Sequence, residues 1–131
     1  MGFLIHTIDG RLVPGHEYHS AGAITPKVGL ALTESNGNLA VAAGAVKPLY
    51  ISMRQEEAVI PAGTVIPVIR VLPDTVFETT ASVSMASINV GDKVTLSADG
   101  LQVTDTKENG VAEIVSMDGT AVGSVVRVRF A

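Results

Sequence analysis

Asn89-Val90-Gly91-Asp92-Lys93-Val94-Thr95-Leu96 decides the fold class, because the same arrangement stands at two other places in the chain. One copy is Pro61-Ala62-Gly63-Thr64-Val65-Ile66-Pro67-Val68, and the other is Ala121-Val122-Gly123-Ser124-Val125-Val126-Arg127-Val128. In each, a small or β-branched residue precedes Gly, and Thr, Asp or Ser follows it. Branched apolar residues then sit three and five positions beyond the Gly. The physical content is a tight turn that needs Gly for its backbone, followed by a strand with one apolar face. The spacing between copies is irregular, which argues against a solenoid or propeller. It suits a small barrel or sandwich whose corners are built alike.

Other strand and turn signals surround these copies. Asn36-Gly37 separates the apolar runs Val28–Leu32 and Leu39–Val41. That dipeptide marks a type I′ hairpin, because both central residues need positive φ. Pro48–Met53 is a further short strand. Thr64–Val71 is apolar on both faces, so it is either central or covered by another subunit. Pro67 inside it cannot donate to a ladder and predicts an edge or a bulge. Residues 77–85 place Phe77, Ala81, Val83 and Met85 on one face. Residues 93–98 place Val94, Leu96 and Ala98 inside and Lys93, Thr95 and Ser97 outside. Val111–Met117 and Ser124–Phe130 complete the set, with Val126, Val128 and Phe130 inward. Asp99-Gly100 and Asp118-Gly119 mark turns. No stretch shows helical periodicity.

Composition agrees with this pattern. Val, Ile and Thr supply 39 of the 131 residues, and such side chains favour pleated sheet over helix. There is no Cys, which excludes disulfides, thiolate metal sites and a cysteine nucleophile. The formal charge is −4, carried wholly by residues 51–131, and only four Lys are present. Without a basic cluster, nucleic acid is not an expected partner. No stretch approaches the run of roughly 18 apolar residues that spans a bilayer, so no membrane partner is expected. The first residues lack a secretory signal's features, so the expectation is a protein used without export.

All six prolines lie between residues 14 and 73, and all three histidines lie before residue 20. Residues 1–27 show no sustained alternation and are expected to form an extended N-terminal arm. Residues 28–131 are expected to form a single β-rich domain. The chemistry-bearing residues are sparse. His16-Glu17-Tyr18-His19, with His6 and Asp9 nearby, is the one metal-like cluster. Two His three apart can share a metal on one helical turn, with a carboxylate as third ligand, but the flanking Pro14-Gly15 and Gly22 do not support a helix here. Glu56 and Glu57 are adjacent and would point apart on an extended chain. No phosphate loop or nucleophile elbow is present. The expectation is therefore a non-enzymatic protein with no catalytic residue, no metal and no cofactor. Arg127 and Arg129 share one strand face, a candidate for salt bridging at an interface.

The half of the chain from Val65 to Phe130 resembles the decoration, or cement, proteins of tailed-phage and prophage capsids. The likeness rests on Val-Ile-Pro-Val-Ile-Arg-Val at 65–71 and Ser-Ile-Asn-Val-Gly-Asp-Lys-Val-Thr-Leu-Ser-Ala-Asp-Gly at 87–100. Gly-Val-Ala-Glu-Ile-Val at 110–115 and Gly-Ser-Val-Val-Arg-Val-Arg-Phe at 123–130 complete it. The resemblance implies a compact β protein, often trimeric, that binds the major capsid protein on the outer surface of the virion and stabilises the head after assembly in the host cytoplasm. It also implies an arm reaching the capsid. Expected capsid contacts are Leu4, Ile5, His6, Leu12, His16 and Tyr18. Expected contacts between subunits are Val65, Pro67, Ile69, Arg127 and Arg129. The rivals are another virion subunit, such as a tail or spike protein, a small-ligand or glycan-binding β module, and a metal-dependent enzyme using His16 and His19. Five aromatic residues in the whole chain give little for sugars to stack on.

Overall fold

The computed structural model describes residues 2–8 and 15–130. The described residues form ten strands and no helix: β1 (Leu4–Ile8), β2 (Glu17–Ala21), β3 (Ala31–Ser35), β4 (Asn38–Val41), β5 (Tyr50–Ser52), β6 (Thr64–Arg70), β7 (Thr75–Thr80), β8 (Lys93–Val94), β9 (Ala112–Met117) and β10 (Val125–Arg129). They divide into a closed barrel, β2-β4-β3-β5-β6, and a five-stranded sheet, β1-β7-β10-β9-β8. The sheet is antiparallel throughout, and the barrel has one parallel contact, Ala21 beside Leu39.

The repeated glycine turns are real. Gly63, Gly91 and Gly123 hold φ of 92°, 96° and 85°. In each the residue after the Gly donates back to the carbonyl three positions earlier: Thr64 to Pro61 at 3.2 Å, Asp92 to Asn89 at 3.0 Å, Ser124 to Ala121 at 3.1 Å. Positive φ at the third position is what a type II turn demands. Each Gly N–H also donates across to a neighbouring segment, at Ala21, Ile114 and Ala81 respectively. The apolar residues three and five beyond each Gly are all buried: Ile66 and Val68, Val94 and Leu96, Val126 and Val128. The Asn36-Gly37 hairpin also forms, with φ of 52° and 83°, and pairs Ser35 with Asn38.

Two cores share strands. Leu32, Leu39, Tyr50, Ile66 and Val68 fill the barrel. Ala31, Ile51 and Ile69 point the other way, into a core between barrel and sheet that also holds Phe3, Phe77, Met85, Ile114, Val126, Val128 and Phe130. Consecutive residues of β3, β5 and β6 thus serve different cores, as the period-two alternation of a strand dictates. This explains Ile69 on the doubly apolar β6: that end of its second face is covered by the chain's own sheet. Phe130 organises that core, with Phe3 at 5.3 Å and Phe77 at 5.7 Å between ring centroids.

Several local expectations are corrected. β6 is flanked on both sides, by β2 and β5, so Pro67 is not on an edge. Pairing with β5 ends at Val68, and the Met53 N–H donates to the Pro67 carbonyl at 3.0 Å. The return bond of that pair is the one a proline lacks, so the ladder stops there. The alternation at 93–98 fails after Val94: Thr95 and Ser97 are buried and Ala98 is exposed. Their hydroxyls are satisfied locally. Thr95 Oγ1 meets Thr104 Oγ1 at 2.7 Å, and Ser97 Oγ accepts the Gln102 N–H at 3.0 Å. Val83, expected inward, is exposed, because β7 ends at Thr80.

Residues 1–27, expected as an arm, contribute a strand to each unit. β1 pairs with β7 in the sheet, and β2 pairs with β6 in the barrel. Phe3 is buried, and its N–H donates to the Gly29 carbonyl at 2.8 Å.

Candidate interaction surface

β2 pairs with β6 in the register Tyr18 opposite Pro67 and Ser20 opposite Val65. All four therefore lie on the outside of the barrel. The outer face of β6 is divided along its length. Ile69, near one end, is 3% exposed under the five-stranded sheet, whereas Val65 is 54% exposed and Tyr18, diagonal to it across the strand pair, 68%. The sheet covers only part of the barrel and leaves Tyr18 and Val65 exposed, with half-buried Pro67 completing an apolar patch.

The inward-facing residues of β2 are held by charge. The Glu17 carboxylate accepts from Arg70 Nε and Nη2, both at 2.9 Å, and lies 3.1 Å from His19 Nε2. Arg70 Nη2 also reaches the Tyr50 hydroxyl at 3.3 Å, and the His19 ring packs on the Tyr50 ring at 4.5 Å. The Arg70 guanidinium, with help from His19, keeps the Glu17 carboxyl below its ordinary value. Bidentate geometry fixes orientation as well as charge. Tyr18, between Glu17 and His19, points outward by the alternation of the strand. Glu17 is thus engaged by Arg70, and among the described residues no three His, Asp or Glu side chains converge as a metal site would need. Nor is a ligand-sized pocket present among them.

The sheet's outer face carries a second charge network. Arg127 on β10 bonds Asp118 at 2.8 Å and Glu78 at 3.2 Å, and His6 on β1 lies 4.0 Å from Glu78. Arg129 bonds Glu113 at 2.8 Å. The Arg127 guanidinium pulls the Asp118 carboxyl below its ordinary value.

These positions rearrange the expected sites. Tyr18, expected at the capsid, and Val65 and Pro67, expected between subunits, form one patch. Ile69 belongs to the chain's own core. Arg127 and Arg129 are paired within the chain. Leu4 and His6 are exposed on edge strand β1, on the far sheet, while Ile5 packs against the core between barrel and sheet. His16 is exposed just before β2. Leu12 lies outside the described residues. The Glu17–Arg70–Tyr50 cluster was missed by sequence reasoning. The available signal was the alternation Glu17, His19, Ala21, but with a single small apolar residue among them it does not read as a strand.

No family model matches the chain, and no curated protein does. Among solved structures, the chain is similar to the head fiber gp8.5 N base in bacteriophage phi29, at 17% sequence identity and a TM-score of 0.53. The likeness covers 89% of this chain and 93% of that one. At that identity it establishes a shared fold.

Proposed function

We propose that the chain is a non-enzymatic structural protein of a tailed-phage virion, bound to the outside of the head as a decoration protein. Fold alone does not carry function. The observation that supports this reading is the agreement of two separate routes. The strand-and-turn pattern of residues 65–130 resembles capsid decoration proteins, and the architecture of nearly the whole chain is similar to that of the phi29 head fiber N base.

In this reading the capsid contact is the patch of Tyr18, Val65 and Pro67. A stand-alone protein interface engages roughly 20–30 residues a side. A patch of a few side chains is far smaller. It fits a weak contact repeated over a lattice, where linked copies add their attachments without new contacts at any one site. A homo-oligomer, a trimer by the family resemblance, supplies that linkage. Clamping neighbouring capsid proteins then strengthens the shell, because expansion must break the added contacts.

The test uses heads and tails isolated separately from the phage that encodes the chain. Purified protein is mixed with each and sedimented, and its own solution mass is measured. Pelleting with heads and not with tails is expected. Pelleting with tails alone would transfer the protein to the tail or spike reading.

A further inference from the structure

The chain holds two Asn-Gly pairs, Asn36-Gly37 and Asn109-Gly110, and both asparagines have positive φ, 52° and 55°. The dipeptide is intrinsically labile, because a glycine N–H carries no neighbouring side chain to hinder its approach to the asparagine amide carbon. Asparagine also counts among the thermolabile residues. The fold treats the two pairs oppositely.

Gly110 is immobilised. Its N–H donates to the Lys107 carbonyl at 3.1 Å, and a Cβ placed on it would come 2.3 Å from the Lys93 carbonyl carbon. Gly37 lies at the exposed tip of the β3–β4 hairpin, with no atom within 4 Å of its Cβ position and no hydrogen-bond partner for its N–H among the described residues. The Asp-Gly pairs of the described chain are also restrained. Gly100 N–H donates to Ser97 at 3.0 Å, and the Asp118 carboxylate, a poorer electrophile than an amide, is held by Arg127.

We propose that Asn36 is the chain's site of spontaneous modification by water, through a cyclic imide, and that the packing of Gly110 protects Asn109. The Gly37 nitrogen loses its proton to solvent and bonds to the Asn36 side-chain carbonyl carbon. The bond from that carbon to the amide nitrogen breaks, and ammonia leaves with the proton. Water then adds to either imide carbonyl and reopens the ring, giving aspartate or isoaspartate at position 36. The isoaspartate form inserts an extra backbone carbon into a two-residue turn. Such a turn sets the register of its strands. The pairing of Ser35 with Asn38, and the Ser20–Asn38 bond at 2.7 Å that braces β2 against β4, would be lost. This proposal is independent of any role at the head.

The test is prolonged incubation of the intact chain in mildly alkaline buffer, followed by peptide mapping by mass spectrometry. A parallel sample is kept unfolded in urea. In the folded protein the Asn36 peptide should convert to acid forms, including isoaspartate, while the Asn109 peptide stays amidated; in urea both should convert. Equal conversion at Asn109 in the folded protein would overturn the proposal. So would an Asn36 that reacts in urea and stays intact when folded.

Discussion

The Glu17 carboxylate and the Arg70 guanidinium, 53 residues apart in sequence, close on each other through two 2.9 Å hydrogen bonds where β2 meets β6. The pair makes one contribution to barrel stability pH-dependent. The folded state holds the Glu17 carboxyl below its ordinary value of 4.5. Its stabilisation is therefore full above that value and is lost as pH falls through the lower, folded value. Both side chains are partly exposed, so solvent screening keeps the effect small. Arg70→Met should lower stability near neutral pH, and the difference from the parent should shrink as the pH falls below 4.5. Thermal denaturation across a pH series reads this directly.

The glycines sort into two kinds of requirement. At Gly63, Gly91 and Gly123 an added Cβ meets nothing within 4 Å among the described residues beyond the chain neighbours, and the demand is for positive φ alone. Alanine at any of them should cost about 1–2 kcal/mol, the penalty for a left-handed L-residue. At Gly110 the Cβ would strike the Lys93 backbone. Gly110→Ala should therefore destabilise more than Gly91→Ala, as urea denaturation midpoints would reveal.

Phe130 anchors the core between barrel and sheet through Phe3 and Phe77. Phe130→Ala should cost about 3–5 kcal/mol, the usual range for truncating a buried aromatic. The test is equilibrium unfolding. Loss within 1 kcal/mol would mean that the two units do not depend on this cluster.

Much of the fold was legible in the sequence where turn chemistry and alternation agreed. Gly63, Gly91, Gly123 and the Asn36-Gly37 turn carry their backbone geometry in their residue types. Val126, Val128 and Phe130 alternate cleanly. What failed did so for physical reasons. β2 reads Glu-Tyr-His-Ser-Ala, and its place in the barrel is set by backbone pairing with β6 and by Arg70, neither of which leaves an apolar period. Hydroxyls read as polar, so alternation puts Thr95 and Ser97 outside, yet each finds a local partner and is buried. The partition of the outer face of β6 depends on which part the distant sheet covers, which is tertiary information. For the same reason Val65 and Pro67 could not be separated from Ile69, nor joined to Tyr18, from spacing alone.

The exposed patch separates binding from folding. Tyr18→Ala and Val65→Asp change surface side chains with no hydrogen bond of their own among the described residues, so stability should stay within about 0.5 kcal/mol of the parent. Both should weaken attachment to heads. Deleting residues 1–20 would not make this distinction, because it removes β1 and most of β2.

Imaging heads saturated with the purified protein tests the central claim most directly. Density for the two-unit fold is expected on the outer surface at the three-fold positions of the lattice, with Tyr18 and Val65 facing the capsid protein. Heads that remain bare at saturating protein, or density confined to the tail, would contradict it.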